Sequence, residues 1–247
     1  MKKIIIANWK MNPSSEKEAV SLAKAINKKG IVICPPFVFL SSVSKNLKAG
    51  SSKLKATLGA QDISPESQGS FTGEISPSML KNLGVKYAII GHSERRMLGE
   101  INYLINRKIK TALKSGITPI VCVGEPHRDP QMKYLGFMKR QITETFKGLS
   151  PKDFKKIIIA YEPVWAIGKS AEREATPEES QEMAIFIKKV LSDHFGRGSV
   201  KNLKILYGGS VNEKNAKEFL TCGGVQGLLV GRVSLDQKKF NEIIKNS

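Results

Sequence analysis

Eight short runs rich in β-branched residues, at 3–9, 31–34, 56–61, 87–90, 118–123, 157–162, 203–207 and 227–230, punctuate a chain of 247 residues. Helical patterns separate them. Ala19, Leu22, Ala23 and Ile26 fall on one helix face, and Met183, Ile187, Val190 and Leu191 repeat such a stripe. Helix starts are written into the same stretches. Ser15 and Glu18 have the spacing of a capping box, and Thr176-Pro177-Glu178-Glu179 supplies an N-cap, a proline for the first helical position and a box glutamate. Strands that alternate with helices pair in parallel, because a parallel neighbour is reached only through a crossover. Eight units in 247 residues average about 31 each, enough for a strand, a helix and their turns. The expected fold is α/β, a single-domain (β/α)8 barrel of eight parallel strands spanning 1–247. A doubly wound open sheet would usually carry a glycine-rich dinucleotide loop after one strand, and the sequence has none.

Composition narrows the class. With 40% hydrophobic and 25% charged residues the chain has the makings of a large core and none of the bias of a disordered protein. Its longest apolar runs, such as Ile157-Ile158-Ile159-Ala160-Tyr161, are far shorter than the roughly 18 residues of a membrane helix. Four apolar residues, Ile4 to Ala7, follow Met1-Lys2-Lys3, too few for a secretory signal, so a cytoplasmic location is expected. Cys34, Cys122 and Cys222 are odd in number and far apart, which argues for a reducing compartment and against a disulfide framework or zinc site. No metal and no cofactor is expected. The 40 Lys and Arg against 22 Asp and Glu give a net charge of +18. These basic residues are scattered along the sequence without a run of five, so a diffusely basic surface is expected rather than a dedicated nucleic-acid site.

In a barrel of this kind the chemistry lies at the C-terminal ends of the strands. Asn8-Trp9-Lys10 follows the first run, Gly91-His92-Ser93-Glu94-Arg95-Arg96 the fourth, and Glu162-Pro163-Val164-Trp165-Ala166-Ile167-Gly168 closes the sixth. Glu162 directly follows an apolar run and should enter the barrel mouth half desolvated, which favours a carboxylate as a base. The seventh and eighth runs end in Gly208-Gly209-Ser210 and Gly231-Arg232, where backbone N–H groups can approach a phosphate. Each feature has a plainer reading: Lys10 as a solvated surface residue, His92 as partner to a loop carbonyl, Gly-Gly as a turn. Together they describe proton abstraction beside a carbonyl in a small phosphorylated compound. Other motifs fail. Gly168-Lys169-Ser170 lacks the earlier P-loop glycine, its place being taken by Pro163, and Arg95 replaces the second glycine of a nucleophile elbow. His127 and His194 have no partner at ligand spacing and read as surface or loop residues.

Several segments resemble the triosephosphate isomerase family: Asn8-Trp9-Lys10-Met11-Asn12, Gly59-Ala60-Gln61, Phe71-Thr72-Gly73-Glu74-Ile75-Ser76, and the stretches 91–96, 160–168 and 207–211. They occur in the family's order at the corresponding strand ends, and the likeness runs from residue 3 to about 244. The resemblance implies a TIM barrel that interconverts dihydroxyacetone phosphate and D-glyceraldehyde 3-phosphate through an enediolate, in glycolysis and gluconeogenesis. It implies Glu162 as base and then acid, and His92 as a neutral electrophile. Lys10 would neutralise developing charge, Asn8 would be a further donor, and Glu94 would orient Lys10. Backbone N–H groups of Gly168, Ser210, Gly231 and Arg232 would hold the phosphate under a lid at 163–175. It also implies a homodimer joined through the loop 68–75 with Thr72 at its tip.

Two departures stand out. The segment Lys169-Ser170-Ala171-Glu172-Arg173-Glu174-Ala175 is about two residues longer than the family's lid and lacks its second glycine. Closure is still expected, because Pro163-Val164-Trp165 and Gly168 are present. Arg232 stands where the family typically has glycine, so a backbone donor there requires a φ that arginine tolerates. An aldolase would need a Schiff-base lysine on a strand, and a metal epimerase would need His and carboxylate ligands on several strands; neither set is visible. The remaining alternative is a polyanion-binding role drawn from the +18 charge.

Overall fold

Alternation along each strand decides which residues fill the barrel and which carry the helices. The computed structural model describes residues 3–49, 55–168 and 171–247. Strands form at β1 (Ile4–Asn8), β2 (Ile31–Cys34), β3 (Thr57–Ala60), β4 (Tyr87–Ile90), β5 (Thr118–Val123), β6 (Ile158–Tyr161), β7 (Lys204–Tyr207) and β8 (Gly227–Val230), each within a residue of its expected run at either end. All pair in parallel in sequence order, and β8 returns to β1 through Ile4↔Gly227 to Ala7↔Val230, closing the barrel. Ile4 and Ile6 of β1 point inward with Val32, Cys34, Ile120, Cys122, Ile158 and Ala160, while Ile5, Ala7, Ile159 and Tyr161 point outward beneath the helices. The interior is filled: a Cβ on Gly59 of β3 would sit 2.5 Å from Cys34 Sγ.

The helices are α1 (Glu16–Ala25), α2 (Phe37–Ala49), α3 (Pro77–Asn82), α4 (Ser93–Met97), α5 (Asn102–Ser115), α6 (Lys133–Thr145), α7 (Pro177–Phe195), α8 (Ala216–Cys222) and α9 (Gln237–Lys245). At α7 the capping box is complete: the Thr176 hydroxyl accepts from Glu179 N–H at 3.3 Å, and the Glu179 carboxylate accepts from Thr176 N–H at 2.8 Å. At α1 the Ser15 hydroxyl accepts from Glu18 N–H at 3.3 Å, one half of the box. Met183, Ile187, Val190 and Leu191 of α7 are buried against the barrel, a stripe in which each side chain contributes about 1.5–3 kcal/mol. No helix among the described residues is long and apolar enough to cross a membrane.

One polar knot interrupts the apolar packing. Lys108 of α5, 2% exposed, donates to both carboxylate oxygens of Asp62 at 2.8 and 2.7 Å and to Glu100 Oε1 at 2.6 Å, while Arg95 reaches the same Glu100 oxygen at 2.6 Å. Burial pushes the Asp62 carboxyl above its ordinary range by more than Lys108 draws it down. Burial acts likewise on Glu100, but hydrogen bonds and charge from Lys108 and Arg95 outweigh it and hold that carboxyl low. The knot ties α5 to the loops that follow β3 and β4.

Candidate active site

The alternation that packs the barrel also aims its polar ends. After Ile4 and Ile6, the next inward position on β1 is Asn8; after Ile158 and Ala160, the next on the β6 line is Glu162. Asn8 Oδ1 accepts from the backbone N–H of Lys10 at 3.1 Å. Lys10 adopts φ 53°, a left-handed conformation uncommon for a residue with a Cβ, and Gln61 Nε2 secures it by donating to Lys10 O at 2.7 Å and Cys34 O at 2.9 Å. From there Lys10 Nζ donates to Glu94 Oε1 at 2.6 Å. The loop after β8 runs alongside, since a Cβ on Gly231 would lie 3.2 Å from Lys10 Cε.

His92 caps α4. Its Nδ1 accepts from the backbone N–H of Glu94 at 3.2 Å, which leaves the single proton of a neutral ring on Nε2. That Nε2 lies 3.2 Å from Glu162 Oε1. The Glu162 side chain is 2% exposed; Oε2 accepts from Ser93 N–H at 2.8 Å, whereas Oε1 has no aligned hydrogen-bond donor among the described residues. Glycines clear space on both sides of it. A Cβ on Gly208 would approach Glu162 Cγ to 3.0 Å, and one on Gly124 would collide with Glu162 O at 1.7 Å. Burial, with the adjacent Glu162 charge adding to it, pushes the Cys122 thiol far up, so the barrel interior below Glu162 stays uncharged there.

The loops after β6, β7 and β8 supply backbone donors. The N–H groups of Gly168, Ser210, Gly231 and Arg232 have no acceptor among the described residues. Ser210 Oγ donates to Ala166 O at 2.9 Å and so joins the β7 loop to the start of the 163–175 segment. Arg232 opens a 3-10 turn, Arg232–Leu235, and is absent from the positive-φ residues, so arginine sits there without strain.

A family model described as triosephosphate isomerase matches residues 3–247. Curated relatives agree over their whole lengths. The chain is 44% identical to the triosephosphate isomerase of Dictyoglomus thermophilum over 253 residues, with 99% of each chain covered. It is 41% identical to that of Cytophaga hutchinsonii, again with 99% of each covered. With that of Dehalococcoides mccartyi it shares 43%, covering 100% of this chain and 98% of the relative. The chain belongs to the triosephosphate isomerase family. Its reaction is the interconversion of dihydroxyacetone phosphate and glyceraldehyde 3-phosphate in glycolysis, and its substrates are triose phosphates. The pairing of a glutamate base with a neutral histidine is the arrangement for which this enzyme family is itself the reference case.

The segment 163–175 leads from β6 to α7. Lys169 and Ser170 lie outside the described residues, but both flanks are held. Trp165 Nε1 and Tyr161 OH each donate to Glu125 Oε1 at 2.8 Å, and Arg128 Nε donates to the same oxygen at 3.1 Å. On the far flank Arg173 lies 4.5 Å over the Trp165 ring and donates to Glu179, whose carboxyl that hydrogen bond holds low. Thus Arg173 anchors the far flank to α7.

Three supporting residues had no role assigned from sequence, Gln61, Arg96 and Glu125, and Gly208, read there as part of a phosphate cup, also makes room for Glu162. Arg96 Nε donates to Gly91 O at 2.8 Å and Nη2 to Cys122 O at 3.0 Å, bracing the loop that carries His92. Gln61, Arg96 and Gly208 sit inside the family-like segments. Glu125 is the first charged residue after β5, so searching that strand end as the others were searched would have found it.

Proposed function

We propose that Glu162 takes the proton from the carbon beside the substrate carbonyl and returns it to the neighbouring carbon, acting as base and then acid. The observation that carries this reading is the buried Glu162 carboxylate, one oxygen fixed by Ser93 N–H and the other without an aligned donor among the described residues, 3.2 Å from His92 Nε2. His92, neutral and protonated at Nε2, polarises the carbonyl and moves protons between the enediolate oxygens. Lys10 neutralises the developing oxyanion, oriented by the 2.6 Å bond to Glu94; Asn8 keeps its Nδ2 for a substrate oxygen. The N–H groups of Gly168, Ser210, Gly231 and Arg232, without an acceptor among the described residues, receive the phosphate. Closure of the 163–175 lid excludes water and limits loss of phosphate from the enediolate. Conversion of glyceraldehyde 3-phosphate, followed with a coupled dehydrogenase for the natural chain and Glu162→Gln, tests the assignment. Slow turnover by a folded natural chain, or equal rates for both, would reject it.

Arg232 contributes through its backbone. Arg232→Gly is therefore expected to change KM by less than about threefold, its φ being unstrained already. A clear fall in KM would mean that arginine impedes the phosphate.

We further read residues 1–247 as one cytoplasmic domain that works as a homodimer. Support for one domain comes from β8 pairing with β1, and for the compartment from the free thiols of Cys34, Cys122 and Cys222. For the dimer, Phe71 beside Thr72 is exposed, as are Met11, Met97 and Leu98 near the site, and a cavity of about 390 Å³ between Phe71, Arg95, Leu98 and Arg107 suits a second copy's loop. Thr72→Arg is expected to give monomers in sedimentation at micromolar concentration, with activity reduced tenfold or more. A variant that stays dimeric would place the interface elsewhere.

A further inference from the structure

The basic residues look scattered in sequence, but the barrel gathers them. Because all eight strands run the same way, every segment from a helix end to the next strand lies at the face opposite the active site. Among the described residues those segments carry ten Lys and Arg and one acid, Asp153. The segments from strand ends to the following helices, at the active-site face, carry five Lys and Arg and ten acids among the described residues. The excess positive charge is therefore polarised along the barrel axis.

Its densest part lies before β6 and β7, which are neighbours in the barrel. Lys147, Lys152, Lys155, Lys156, Arg197 and Lys201 are all exposed there, and none forms an ion pair with an acid among the described residues. The support beneath them is rigid. Phe154 is buried, with its ring 5.4 Å from Phe146 and 5.2 Å from Phe195, so the two basic segments share one aromatic base. A Cβ on Gly198 would lie 3.2 Å from Pro151 Cβ, which puts the segments in contact. The single acid is occupied elsewhere: Asp153 Oδ2 accepts from Ser150 N–H and Oγ–H, both at 2.8 Å. Helix dipoles do not account for the cluster, because these six cations lie beyond the last turns of α6 and α7. Like charges fixed together repel, and a polyanion relieves that repulsion.

We propose that this face binds the phosphate backbone of duplex nucleic acid. None of the exposed large apolar side chains among the described residues falls in these segments, so the face offers nothing to insert into a bilayer and no ring on which unpaired bases would stack. Backbone contact needs only cations at a firm surface. Because the site of catalysis is at the other end of the barrel, binding and isomerisation are compatible.

The test compares two variants of equal charge change. One is Lys152→Gln, Lys155→Gln, Arg197→Gln and Lys201→Gln; the other is Lys17→Gln, Lys24→Gln, Lys45→Gln and Lys217→Gln, exposed positions on α1, α2 and α8. Fluorescence anisotropy with a labelled duplex of about 20 base pairs, over a salt series, reads affinity; flotation with phosphatidylglycerol vesicles reads the lipid alternative. The natural chain should bind the duplex at physiological salt. The first variant should lose tenfold or more and lower the salt slope by about 3, while the second changes affinity less than twofold. Isomerase activity and Tm should match the natural chain in both. Equal losses in the two variants, no duplex binding at physiological salt, or patch-dependent binding of vesicles but not duplex would each overturn the proposal.

Discussion

Glu162→Gln is expected to lower kcat by about 10²–10⁴-fold, the range a positioned general base supplies, and to leave the protein as stable as before or more so. The two halves of that expectation share one cause. Glu162 is buried with Oε1 lacking an aligned donor among the described residues, and a desolvated, half-satisfied carboxylate costs stability in the folded chain. An amide of the same shape removes the charge and the base together. Its oxygen can still accept from Ser93 N–H, so the local geometry is retained. Steady-state rates in both directions, with thermal melts of the same samples, check it. A kcat loss accompanied by a large drop in Tm would instead mean that the carboxylate holds the barrel mouth together.

Lys108→Ala is expected to cost about 3–5 kcal/mol, because it strands Asp62 and Glu100 without their shared cation. For a chain of this length that corresponds to a Tm lower by roughly 10 °C. The pH dependence follows from the two carboxyls. Glu100, held low in the folded protein, contributes stability that is present above its unfolded pKa and is lost as pH falls through its folded value. Asp62, raised in the folded protein, works the other way and costs stability near neutrality. Without Lys108 both carboxyls move upward. The gap in Tm between variant and natural chain should then narrow as pH is lowered from 7 toward 5, where they take up protons. Lys108→Met separates charge from volume: if it restores the stability of the natural chain, the deficit in Lys108→Ala is a packing void rather than stranded charge.

Periodicity made the architecture legible. Eight β-branched runs and the helical stripes between them predict a closed parallel sheet, and every run contains a strand. The proposed chemistry at Lys10, His92 and Glu162 was legible by the same route, since strand ends are where a barrel keeps its reactive groups. What escaped was everything that depends on partners distant in sequence. Gln61 bonding Lys10 O and Arg96 joining Gly91 O to Cys122 O are contacts between different βα units, which no local pattern encodes. The charge distribution escaped for the same reason. A repeat of about 31 residues separates neighbours on the basic face, so a search for runs along the sequence passes over it. Arg232 needed a backbone angle, and only the structure supplies one.

The pairing of β1 with β8 has a bearing on synthesis. Ile4 to Ala7 find their final partners only when Gly227 to Val230 have been made. At bacterial-to-eukaryotic elongation rates that interval of roughly 220 residues lasts about 10–45 s, during which one flank of the first strand stays without its permanent neighbour. A nascent chain halted before residue 227 has two open sheet edges rather than none, the condition that invites self-association. Messages truncated near their 3′ ends should accordingly yield aggregates rather than smaller soluble barrels.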